Sequence, residues 1–109
     1  MSDTLHSEKG TLGTSNSDLL DAVASSTTET VIGIILANVN SSSQDVTVDL
    51  EVVKSGGSVH PHILNDITLP FGTSLKLDTK IVLETGDSLR GLSNTASSVD
   101  FAVSYLKQT

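Results

Sequence analysis

Cysteine is absent from this 109-residue sequence, and with it any disulfide framework or thiolate metal site. Tryptophan is absent too. The aromatic side chains are only Phe71, Phe101 and Tyr105, too few to build a surface on which bases stack, and a poor basis for sugar recognition. Positive charge is scarce: six Lys and Arg stand against thirteen Asp and Glu, a net −7 spread along the chain. The basic footprint that nucleic acid requires is therefore missing. Long apolar runs are missing as well. The longest, "VIGIILANV", falls far short of the roughly 20 residues that cross a bilayer. The opening "MSDTLHSEKG" has no apolar stretch of the kind a signal peptide carries, so the expectation is a soluble protein with no nucleic-acid or membrane partner.

What is present is hydroxyl. Seventeen Ser and thirteen Thr outnumber the charged side chains, a composition that suits strands and turns better than helices. A chain of this length is one domain, able to bury roughly two thirds of the surface it exposes when unfolded. The segment "DVTVDLEVVK" sets Val46, Val48, Leu50 and Val52 in alternation with Thr47, Asp49 and Glu51, which predicts a strand with one buried and one wet face. Val31 to Val39 is apolar at nearly every position and predicts a central strand buried on both faces. "SDLLDAV" reads as a short strand, with one helical turn capped by Ser17 as the alternative. Turn clusters at "NSSSQD", "SGGS", "PFGTS" and "TGD" separate these from "VHPHILNDITL", "LKLDTKIVLETGD" (apolar at Leu75, Leu77, Ile81 and Leu83), "SLRGLS" and "VDFAVSYLK". Gly86 in "TGD" is expected at positive φ.

Seven or eight strands spaced about ten residues apart, with no amphipathic helix, predict an all-β fold: a single antiparallel β-sandwich, jelly-roll-like or immunoglobulin-like. The missing cysteines and core Trp favour the jelly roll. Residues 1–17, rich in Ser, Thr and Gly with isolated Leu5 and Leu12, are expected as an extended N-terminal arm ahead of a sandwich domain over 18–109.

Chemistry is concentrated in "SVHPHILNDI". His60 and His62 lie two apart and Asp66 four further on, so on a regular strand all three share a face and are candidate metal ligands. Three ligands on one flat strand rarely converge on an ion, however, and Pro61 lacks an N–H, the mark of an edge strand or bulge. The plainer reading places both histidines on an edge strand, solvent-facing or at an interface, and a pH-sensitive subunit contact is a separate, lesser alternative. No nucleophile motif such as G-x-S-x-G occurs. "GTLGTS" lacks the Lys of a phosphate loop, and Asp45, Asp49, Asp78 and Asp87 match no calcium-loop spacing. Asn40-Ser41-Ser42 is formally a glycosylation sequon but carries no meaning without a secretion signal. The residues argue for no enzyme and no cofactor.

The order of motifs "TETVIGIILANVNSSSQDVTVDLEVV", "LPFGTSLKL" and "KIVLETGDSLRGLSNTASSVDFAVSYLK" is similar to that of a loose group of small bacteriophage virion proteins with β-sandwich folds. The resemblance covers roughly residues 28–107 and consists of core and turn signatures. It implies a structural protein of the particle: a head decoration or cement protein that clamps neighbouring major capsid subunits. A tail, neck or fibre-attachment component is the closest rival. The implied partners are the chain itself, as a homo-oligomer such as a trimer, and the major capsid protein or tail and neck proteins. The implied location is the virion, assembled in the host cytoplasm. The residues expected at interfaces are Leu5 and Leu12 in the arm and Val59, His60, His62 and Ile63 along the edge strand. A small ligand-, carbohydrate- or metal-binding module built on His60, His62 and Asp66 is the alternative of a different class.

Overall fold

A computed structural model describes residues 3–78 and 80–109. Every regular element in it is a strand: β1 (Asp3–Thr11), β2 (Ser17–Leu20), β3 (Thr28–Asn38), β4 (Val46–Val53), β5 (His62–Leu69), β6 (Ser74–Leu77), β7 (Ile81–Leu83), β8 (Ser88–Ser93) and β9 (Val99–Gln108). All pairings are antiparallel. Sheet A runs β1-β9-β3, and the far side of β3 is shared by β6, along Ile34–Ala37, and β7, along Glu29–Val31. Sheet B runs β2-β8-β4-β5. Successive strands cross between the sheets except at the β4–β5 hairpin and within the β6/β7 pair. Counting β6 and β7 as one interrupted strand leaves eight positions in two interlocked Greek keys, which is a jelly roll.

Period-two alternation builds the core between the sheets. Val46, Val48, Leu50 and Val52 of β4 face Leu89 of β8 and the inner row of sheet A, in which Val31, Ile34, Leu36, Val99 and Val103 are at most 1% exposed. Each fully buried aliphatic side chain of this kind contributes about 1.5–3 kcal/mol, and nearly the whole core is aliphatic. Phe101 is half-buried beside it, and Tyr105 is its only buried aromatic.

Two expectations need correction. Of the arm expected over residues 1–17, residues 3–17 are not free, and Met1 and Ser2 lie outside the described residues. Asp3–Thr11 pair with β9 from end to end without a register break, and Leu12 is core. Gly, Ser and Thr give this segment little apolar pattern of its own, but the long apolar strand β9 offers a complete ladder of backbone partners, and that tertiary pairing wins. Second, β3 is covered on one face only. Ile32, Ile35 and Val39 are each more than 40% exposed, because no layer lies outside sheet A among the described residues. A bulge between Val31 and Gly33 throws Ile32 outward and shifts the alternation.

The turns are held by polar side chains. Asn38, buried at the end of β3, donates through Nδ2 to the carbonyls of Gln44 (3.0 Å) and Leu69 (2.8 Å). Its Oδ1 accepts from the backbone N–H of Asn40 (2.9 Å). Asn40 in turn accepts from the N–H groups of Ser42 and Gln44 and donates to Ser98 Oγ. The asparagines of "ANVN" thus tie three loops together at one end of the sandwich. At the other end Asp87, 2% exposed, accepts from Lys54 Nζ (2.6 Å), Ser55 N–H (2.9 Å) and Glu84 N–H (3.1 Å). Gly86 sits beside it at φ 89°, as its turn requires.

Candidate functional site

The segment around the two histidines folds into the start of β5, and the structure separates the three expected ligands. His60 precedes the strand, and its Nδ1 accepts the Lys54 N–H at 3.2 Å. His62, the first residue of β5, places Nε2 3.5 Å from Glu51 Oε2. Asp66 departs from strand geometry altogether, with φ at 51°. The β4–β5 register slips between Val48 and Leu50 and again between Leu50 and Glu51. Parity along β5 is therefore broken between His62 and Asp66, and the shared face predicted from spacing does not exist. Asp66 instead gives its N–H to Asp49 Oδ1 at 2.5 Å. Among the described residues no group of three His, Asp or Glu side chains is placed to hold a metal ion.

In place of a metal cluster, His62 ends a row of charge that crosses sheet B. Asp18 on β2 lies opposite Arg90 on β8, Arg90 opposite Glu51 on β4, and Glu51 opposite His62 on β5. Directly opposed residues of antiparallel strands share a face, so the four form one transverse line on the outside of the sheet. Arg90 Nε donates to Glu51 Oε1, and Glu51 is 7% exposed beneath its two partners. The line is acidic, basic, acidic and basic when His62 is protonated, an alternation of opposite charges across the four strands. Sequence alternation marks Glu51 as outward-facing, but nothing in the sequence indicates that Asp18, Arg90 and His62 meet it.

The other expected contact residues divide. Leu5 is 74% exposed on β1 and Val59 75% exposed in the loop before β5. Ile63 is half-buried against the core, and Leu12, 1% exposed, belongs to it. The outer face of sheet A is the larger apolar surface. Cross-strand register sets Leu5, Leu106, Thr30 and Val82 in one row and Lys9, Ala102, Ile35 and Lys76 in another, with Ile32 protruding from the bulge between them.

A cleft of about 340 Å³ opens where β1 overhangs β2, lined by Glu8, Asp18, Asp21, Glu29, Tyr105 and Lys107 among others. Glu29 occupies the inner row of β3 and is 8% exposed. Burial pushes its carboxyl above the usual range, Lys107 and His6 oppose this, and Glu8 and Asp21 add to it. Tyr105 is likewise raised, first by burial and then by Glu29 and Glu8. The His6 ring stacks on Tyr105 with centroids 5.4 Å apart and planes 19° from parallel. The sequence pattern does not single out Glu29, although it stands two residues before Val31 and so on the buried side of β3. No nucleophile with an adjacent base lies among the described residues of this cleft.

No protein-family model matches the chain, and no curated protein matches it in sequence. Solved structures match in fold. A chain of the icosahedral infectious bursal disease virus particle superposes with a TM-score of 0.56 at 8% identity, over 96% of this chain and 30% of that one. The capsid of a Helicobacter pylori bacteriophage gives 0.53 at 12% identity, covering 96% and 86% of the two chains. The endospore appendages of Bacillus, described as disulfide-linked pili, give 0.51 at 15%, covering 99% and 87%. Likeness at these identities is likeness of fold: an all-β sandwich of the kind found in viral capsid proteins. The chain spans under a third of the bursal disease virus chain that it matches.

Proposed function

We propose that this protein is a structural subunit of a bacteriophage virion, and within the particle a head decoration or cement protein that bridges neighbouring major capsid subunits. The observation that carries the reading is a jelly roll shared over nearly the whole chain with subunits of self-assembled shells. The same fold occurs in an endospore fibre whose subunits are described as disulfide-linked, but this chain has no cysteine with which to make such a link. The resemblance of residues 28–107 to small phage virion proteins supports the particle setting, and its "ANV" and "TGD" signatures coincide with the Asn38 and Asp87 turn locks.

A decoration protein acts through surface. The outer face of sheet A, apolar at Leu5, Ile32, Ile35 and Val82, fits contact with a capsid shell, since exposed apolar patches on small domains mark interaction sites. Many weak contacts repeated over a shell stabilise it by mass action. Such a protein works by binding, with itself and the major capsid protein as partners, and needs no catalytic group or cofactor. The deciding measurement is copy number per purified virion, by quantitative mass spectrometry against the major capsid protein. Hundreds of copies are expected. A handful would assign the protein to the neck or tail instead, and absence from the particle would sink the virion reading.

A further inference from the structure

The four sheet edges of the sandwich are unequal. Edge β2 is four residues long and carries a register shift. Strands β6 and β7, four and three residues, interrupt the far edge of sheet A. Edge β5 follows Pro61, slips register twice against β4 and turns at Asp66. Short strands, prolines and bulges are the devices by which sheets refuse further strands. Edge β1 has none of these three and is guarded only by the charges of Asp3, Glu8 and Lys9: nine residues without proline, paired to β9 with no irregularity, every residue exposed and one side of the backbone free.

We infer that β1 is a self-association edge, on which β1 of a second copy of this chain pairs antiparallel about a twofold axis through Ser7. The charges along "DTLHSEKGT" select that partner and that register. Centred on Ser7, the pairing sets His6 opposite Glu8 twice, Leu5 against the Lys9 stem, Thr4 against Gly10 and Asp3 against Thr11. All nine residues are then paired, and no like charges face each other. Hydrogen-bond parity moves the centre by whole residues. A centre at Glu8 opposes two carboxylates, and one at His6 opposes two imidazoles and pairs only seven of the nine residues of β1 with one another. Opposite charges directly across an antiparallel pair favour it and like charges disfavour it. The His6 ring, stacked on Tyr105 and held by Thr4 Oγ1 at 2.9 Å, is already positioned on the strand. A twofold pairing of this kind joins two copies of sheet A into one continuous sheet, its apolar outer face doubled in area.

This association adds a partner-facing edge to the virion reading and stands or falls without it. The chain's lack of cysteine gives a clean test. In Ser7→Cys the only thiols lie opposite each other across the axis, about 5 Å apart between Cα atoms and within disulfide reach. In Thr4→Cys they are about 20 Å apart, roughly six residues of offset at about 3.4 Å each. The expected results are a native solution mass by light scattering of twice 11.3 kDa, and oxidation of Ser7→Cys to a disulfide dimer at least about tenfold faster than Thr4→Cys. A mass of 11.3 kDa at every concentration overturns the inference. So do equal cross-linking rates at the two positions, or faster linking through Thr4→Cys. Copy number in the virion is read independently of any of these.

Discussion

Burial pushes the carboxyls of Asp87 and Glu29 the same way, yet their net shifts are opposite, and the difference lies in hydrogen bonding. Burial drives Asp87 upward, but bonds from Lys54, Ser55 and Glu84 outweigh it and hold the carboxyl below its ordinary 3.8. The unfolded chain then binds the proton more readily, so Asp87 contributes stability in full above pH 3.8 that is lost as pH falls through the folded value. Asp87→Ala leaves the part-buried N–H donors of Ser55 and Glu84 without their acceptor and should cost about 1–2 kcal/mol in urea denaturation at pH 7. Among the described residues no hydrogen bond offsets the burial of Glu29, and its raised pKa means that the native state holds the proton longer. Its contribution therefore changes with the other sign: stability falls as pH rises from 4.5 through the folded value. Glu29→Gln should raise the melting temperature at pH 7 and flatten that part of the pH profile. A variant that melts lower at pH 7 would show that the ionised carboxylate is held by an interaction stronger than its desolvation.

At the scale of the element, strands whose side chains alternate cleanly are legible in the amino-acid sequence. Val46 to Val52 and Val99 to Tyr105 lie as their periodicity predicts, because one wet and one buried face leave a single workable register. Elements defined by their partner are not legible in this way. Strand β1 has no apolar pattern of its own and exists as a strand because β9 supplies backbone partners. The extra coverage expected over Val31 to Val39 assumes a layer that no local signal can deny. The candidate metal site fails at the β4–β5 bulges, where register slips that the sequence does not encode locally separate His62 from Asp66. Close approach between elements is equally hidden. A Cβ on Gly91 would lie 2.5 Å from Leu50 Cδ2 and 2.6 Å from the Asp49 carbonyl oxygen. Gly91→Ala must therefore push β8 from β4, and a loss of about 2–3 kcal/mol is expected from chemical denaturation. A loss below about 0.5 kcal/mol would mean that the two strands part freely.

Over the whole molecule the two sheets present unlike surfaces to their surroundings. Sheet B carries the Asp18–Arg90–Glu51–His62 row, while sheet A offers Leu5, Ile35 and Val82 with small residues between them. Ile35→Lys and Val82→Lys, at positions 42% and 55% exposed, should leave folding stability within about 0.5 kcal/mol. The same changes should weaken binding to undecorated capsids, as read by co-sedimentation. Unchanged binding would move the contact surface away from this face.

The single tyrosine gives the fold a built-in reporter. With no tryptophan to mask it, tyrosine emission arises from Tyr105 alone, stacked under His6 and beside the Glu29 carboxyl. Peeling β1 from β9 separates that ring from the imidazole. The docking of one edge strand is thus visible, unlabelled, in the emission of an otherwise dark protein.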